Sequence, residues 1–270
     1  MRRMMEEFDG KKPLRIYECE DSMEGILSAV YEAGISGYGH KYIRIAPKRQ
    51  GESESMTLFA EYVAVETNSE YADVVLDKVR SGISTEAYQY VLHALASDKP
   101  ERADIVYQFV AYGFTLGAKI TKALQIPCVK AMFALERKVK NEAMWFREFV
   151  RFQQVSEEPS VLLAVIEPEA RIISMIAPHF ADRLNPERFV IYDKSHGEAV
   201  FHMPGEPWFI RLLSTEEAES LEQMWEQQEK YVELWKTFFH SICIEERKNK
   251  NLQRNMARLK YRKHMTEFME

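Results

Sequence analysis

Long apolar runs are missing from this 270-residue chain, and none approaches the roughly 20 residues that a membrane-spanning helix needs. The charged start, Met1-Arg-Arg-Met-Met-Glu-Glu7, is not followed by the apolar stretch of a secretory signal, so a cytoplasmic protein without a membrane partner is expected. Cysteine is scarce. Cys19, Cys128 and Cys243 are odd in number and far apart, which argues against a disulfide framework and against a zinc or iron–sulfur site of clustered thiolates; buried free thiols are expected. No stretch is low in complexity. No glycine-rich loop has the strand-turn setting of a phosphate-binding motif: Gly113 and Gly117 lie inside a helical pattern, where they predict a close helix contact.

What is present suits a soluble globular chain, 46% hydrophobic, 12% aromatic and 29% charged, long enough for one large domain or two closely packed ones. Charge is unevenly placed. Between Arg247 and His264 stand eight Lys or Arg residues and no acid, and taking those eight cations from a net charge of −6 leaves −14 on the rest. An acidic body with a basic segment points to a polyanion or an acidic partner surface.

Taken in order, residues 1–12 are a polar leader. Leu14–Glu18 alternates like a strand, and Asp21-Ser-Met-Glu24 has the spacing of a capping box, so a helix with Met23, Ile26, Leu27 and Val30 on its apolar face should follow and end near Gly34. Tyr42–Ala46, stopped by Pro47, and Leu58–Val65 read as strands about a Gln50–Ser55 loop. From Ser69 to Phe146 the period is helical, punctuated at Gly82 and Pro100, continuous over Ile105–Leu124, and restarted at Pro127 with a mixed-charge face of Arg137, Lys138, Lys140 and Glu142. Strand-like runs follow at Phe149–Val155, Val161–Glu167, Phe189–Asp193 and Glu198–His202, the last two a hairpin about Ser195-His-Gly197, with a helical crossover over Glu169–Leu184. Ser214-Thr-Glu-Glu217 is a second capping box, opening a helix whose stripe of Leu221, Trp225, Val232, Trp235 and Phe239 should cover the sheet.

The fold class predicted is α+β: an antiparallel sheet of about four strands in the C-terminal half packed by helices, with a helix-rich N-terminal half. Residues 13–146 form the strand-helix and mainly helical region, and 147–270 the sheet, the aromatic helix and the basic segment, in one compact unit.

Candidate chemistry centres on Ile176-Ala-Pro-His-Phe-Ala-Asp-Arg183. On a helix His179, Asp182 and Arg183 share one side. His179 is the candidate proton-transfer group, Asp182 or Asp193 its orienting carboxylate, and Arg183 with Arg147 or Arg151 an anion clamp; the alternative is a salt-bridged structural cluster. Arg147 and Arg151 beside aromatics also suit a base-stacking surface, or a solvated face. His196 and His202 lack a tight set of further ligands, so no metal and no cofactor is assigned.

Several stretches jointly resemble a known family. Tyr17-Glu-Cys-Glu-Asp-Ser-Met-Glu-Gly-Ile-Leu-Ser-Ala-Val-Tyr31, Phe149-Val-Arg-Phe152, Leu163-Ala-Val-Ile-Glu-Pro168, Ile176–Arg183, Val190-Ile-Tyr-Asp193 and the ending Glu246-Arg-Lys-Asn249, Gln253 and Tyr261-Arg-Lys-His-Met-Thr-Glu-Phe268 look like the bacterial "probable DNA metabolism protein" family, a domain of unknown function. The resemblance implies work beside a radical SAM protein of DNA modification or repair; some relatives are fused to a uracil-DNA-glycosylase-type domain. No Cys-x-x-x-Cys-x-x-Cys occurs, so this chain is not itself the radical SAM enzyme. It departs from the family in carrying Met144-Trp145 where a His and a basic residue are usual, and Ala257-Arg-Leu where a Pro is usual.

The function expected is therefore a DNA metabolism or repair protein that binds nucleic acid and works with a radical SAM partner. Arg247, Lys248, Lys250, Arg254, Lys260, Arg262 and Lys263 would neutralise phosphates, while Asn249, Gln253 and Tyr261 contact sugars or bases. The alternatives are an enzyme on a damaged or modified nucleotide using His179, and a protein adaptor without nucleic-acid contact. For the basic segment itself, the alternative is a helix end docked on the acidic body.

Overall fold

A computed structural model describes residues 12–48, 57–157, 159–226 and 261. By its internal contacts the chain divides into two compact units, Met1–Val139 and Lys140–Glu270.

In the first unit the alternation at Leu14–Glu20 becomes strand β1, which buries Ile16, Tyr17 and Cys19. Helix α1, Met23–Ile35, follows, but its cap is Ser22, whose Oγ accepts the Gly25 N–H at 3.0 Å. Asp21 instead meets the buried Arg102 at 2.6 Å. Strands β2, Ile43–Lys48, and β3, Ala60–Ala64, both run parallel to β1 in the order β2-β1-β3. The N-terminal half thus holds a parallel sheet that a helix-rich description omits. Pro47 lies within β2 and does not stop it, because an edge strand can leave a backbone position without its N–H.

Helices α2, Ser69–Gly82, and α3, Thr85–Leu95, are capped by Asn68 and Ser84. Helix α4, Arg102–Leu116, ends where Gly117 takes φ +59°, and a 3-10 segment over Gly117–Lys122 interrupts the expected run to Leu124. A Cβ on Gly113 would lie 2.5 Å from Ile83 Cδ1, so this glycine is the predicted close contact, and Gly117 is a cap. Helix α5 runs from Pro127 to Phe149.

In the second unit the strands are β4, Gln153–Glu157; β5, Ser160–Ile166; β6, Arg188–Asp193; β7, Glu198–His202; and β8, Phe209–Leu212, in the order β4-β5-β6-β7-β8. The expected four-stranded antiparallel sheet is corrected here to a mixed sheet of five. The pair β5–β6 is parallel, because the crossover helix α6, Ile173–Arg183, returns the chain to the starting end of the sheet; the other three pairs are antiparallel. Phe149 belongs to α5 and not to the strand, and Phe152 packs edge-to-face on Phe180 and Phe189 at 5.2 and 5.7 Å. Helix α7, described over Thr215–Glu226, opens with the predicted box: Ser214 N–H donates to Glu217 Oε2 at 2.9 Å and Glu217 N–H to Ser214 Oγ at 3.3 Å. Trp225 is buried with Leu163, Val165 and Tyr192 of the sheet; Val232, Trp235 and Phe239 lie outside the described residues. No described helix is long and apolar enough to cross a membrane.

Candidate functional site

A parallel strand pair joined by a helix opens a crevice beyond its carboxyl ends, where loops can present chemistry. Here those ends are Ile166 of β5 and Asp193 of β6, and Lys194 N–H donates to Ile166 O at 2.9 Å just beyond them. The β5 side is held by Glu142 on α5, a residue the sequence placed on a mixed-charge helix face. It is buried and accepts the N–H groups of Glu169 and Ala170 at 3.1 and 3.0 Å, fixing the loop that carries Arg171.

The β6 side turns sharply. Gly197 adopts φ +67° in the β6–β7 turn, and Asp193, fully buried, ties it together: its Oδ1 accepts Ser195 N–H at 3.0 Å and His196 N–H at 3.2 Å. Its Oδ2 lies 2.7 Å from His196 Nδ1. Since a carboxylate only accepts, the ring N–H sits on Nδ1, which makes Nε2 the basic nitrogen. No other described residue hydrogen-bonds His196. Burial pushes the Asp193 carboxyl above the ordinary carboxylate range, opposed by His196 and the two backbone donors.

Glu198, opposite Asp193 in the hairpin, pairs with Arg171 at 3.3 Å; burial raises its pKa also, against the pull of Arg171. Lys194 pairs with Glu222 of α7, which Tyr192 Oη also reaches at 3.4 Å. Asp193, His196 and Glu198 offer ligand atoms within 4.8 Å of one another, a donor set of the kind that holds a divalent cation. Arg171 and the hydrogen bonds on Asp193 already answer those carboxylates, so what the geometry displays is an oriented imidazole with cations beside it.

The other expected residues do not gather there. The apolar face of α6 is Ile173, Ile176, Ala177 and Phe180, which leaves His179 half-buried and Asp182 and Arg183 exposed off that face. Among the described residues no hydrogen bond or ion pair joins the three; His179 only sets its ring edge against Phe180, at 5.1 Å. Arg147 donates to Met175 O at 2.6 Å, and Arg151 to Glu148 O and Val150 O at 3.3 and 3.4 Å. Tyr261 is buried, edge-on to Phe146 at 5.3 Å and stacked with Trp145 at 6.1 Å. Arg247, Lys248, Asn249, Lys250, Gln253, Arg254, Lys260, Arg262 and Lys263 lie outside the described residues.

Asp193 was thus legible and its partner was not. The available signal was Asp193-x-x-His196-x-Glu198 spanning a predicted hairpin at the end of a crossover. Among curated proteins none matches this chain. A family model described as a domain of unknown function, DUF4130, matches residues 100–267, a span that contains every residue of this site.

Proposed function

Because the chain belongs to the DUF4130 family, a domain of unknown function, its chemistry is read from its residues, and we propose an acid–base enzyme of DNA metabolism acting on a phosphate-bearing nucleotide. His196 is the proton-transfer group and Asp193 its positioning carboxylate. The observation that carries this reading is the 2.7 Å contact between His196 Nδ1 and a fully buried carboxylate at the carboxyl end of a parallel strand pair.

In this reading Nε2 takes a proton from a water or hydroxyl nucleophile, and Asp193 stabilises the imidazolium that results. Arg171 and Lys194, exposed at the same strand ends, exchange Glu198 and Glu222 for a substrate phosphate. The role first assigned to His179 passes to His196, since His179 has no carboxylate partner among the described residues. DNA as substrate carrier, the basic segment as its phosphate contact and a radical SAM protein as working partner rest on the family resemblance and on the charge pattern.

The test is turnover of DNA strands carrying modified or damaged bases, with and without the radical SAM partner, read by mass spectrometry of the released or altered base. His196→Asn should lower turnover by about 100-fold or more and leave DNA affinity unchanged, while His179→Ala stays near wild type. DNA affinity should fall steeply with salt. Wild-type turnover by His196→Asn would overturn the acid–base role. DNA binding without turnover by the wild-type chain would favour the accessory reading, and loss of DNA binding altogether, with partner binding kept, the adaptor.

A further inference from the structure

Helices α1, α2 and α4 of the first unit enclose a groove of about 610 Å3. Its walls are Val30, Val75 and Val110, and at its mouth three large apolar side chains face solvent: Ile35, Val74 and Phe114, 69%, 43% and 53% exposed. Exposed apolar residues scattered singly need no explanation, but three around one concavity mark a contact surface. The volume lies within the range of about 300–1,000 Å3 typical of small-molecule sites.

Polar groups in the groove are few. On one side His40 Nδ1 lies 2.8 Å from the hydroxyl of the buried Tyr107. The protein atoms around His40 hold its pKa below the ordinary imidazole value although part of the residue meets solvent, so it is a neutral group near pH 7. Among the described residues Lys78 is then the one charged side chain lining the groove, and no described residue pairs with it. Gly34 lines the groove as well, and a Cβ placed there would meet nothing within 4 Å, so the α1 wall has open space at this position that a large side chain could enter.

We propose that this groove is a binding site for a small amphipathic organic anion, a compact apolar or aromatic body bearing one carboxylate, sulfonate or phosphate. The body lies along the valine walls under Phe114, the anionic group meets Lys78, and the His40–Tyr107 pair offers a neutral polar contact. It shares no residue with the His196 centre, and its test does not depend on any turnover.

Two fluorescent probes decide it. Anilinonaphthalene sulfonate has an aromatic body and one anionic group; N-phenyl-1-naphthylamine has nearly the same body and no charge. The full chain should bind each saturably at one per chain. Lys78→Gln should weaken the sulfonate probe by about fivefold and leave the uncharged probe unchanged. Gly34→Leu should abolish binding of both without lowering the melting temperature, since Leu is a better helix former than Gly and enters open space. Retained probe binding by Gly34→Leu, or a Lys78→Gln effect equal on both probes, would overturn the proposal. So would an oligomer in the wild-type chain that Gly34→Leu dissolves, because the groove would then be an interface between copies.

Discussion

At the scale of single residues, burial decides which groups are inert and which are poised. Cys19 and Cys128 are the free, buried thiols expected of scattered cysteines, and burial pushes them up to about 12 and about 11; Cys243 lies outside the described residues. Since the thiolate is the nucleophile, neither should be alkylated by iodoacetamide at pH 8 in the native chain, and both should react after denaturation, as peptide mass spectrometry would show. Rapid native labelling of Cys19 would mean that β1 opens readily. Asp193 shows why a site is only half readable from sequence. Its place at a strand end was visible, but that it turns back to His196 and not toward His179 follows from the hairpin and from burial of its carboxylate.

At the scale of elements, local chemistry predicted starts better than ends. The Ser214–Glu217 box formed as spaced, because both partners of a capping box lie within one turn of helix and need no tertiary contact. Asp21–Glu24 did not, because a long-range ion pair to Arg102 claimed Asp21 and shifted the cap to Ser22. Glu217 gives a pH prediction. The Ser214 N–H first, and Arg211 with it, hold its pKa below the ordinary 4.5. A depressed carboxylate contributes stability that is present above the unfolded value and lost as pH falls through the folded one. Glu217→Gln should therefore melt lower than wild type near pH 7, with the gap closing as acidification protonates Glu217 in the folded chain. A gap of equal size throughout would assign the effect to hydrogen bonding rather than charge.

For the whole molecule, the division into two units puts a buried ion-pair anchor in the first and every tryptophan in the second. In the first unit Arg102, buried, binds Asp21 at 2.6 Å and donates to Leu95 O and Lys99 O at 3.2 and 3.1 Å, fastening the α3–α4 turn to the β1–α1 junction. All four tryptophans, Trp145, Trp208, Trp225 and Trp235, fall in the second. Arg102→Met removes this ion pair and both carbonyl contacts, and breaking such a buried pair costs about 3 kcal/mol. In urea its circular-dichroism transition should begin earlier than wild type while its tryptophan fluorescence midpoint moves much less. Equal shifts in both signals would mean that the chain unfolds as one cooperative body.

The sequence by itself determined most of the elements: the helical stretch from Ser69 to Phe146 with its breaks at Gly82 and Pro100, the crossover helix, the β6–β7 hairpin, the close contact at Gly113 and the second capping box. These follow from periodicity, turn chemistry and caps, which act over a few residues. Tertiary structure alone decided the strand partnerships beyond that hairpin and their register, the parallel sheet of the first unit, the fifth strand β8, the burial of Glu142 and the pairing of Asp193 with His196. Those depend on which surfaces meet across dozens of residues. A pattern of apolar positions says which face of an element is buried, and does not say against what.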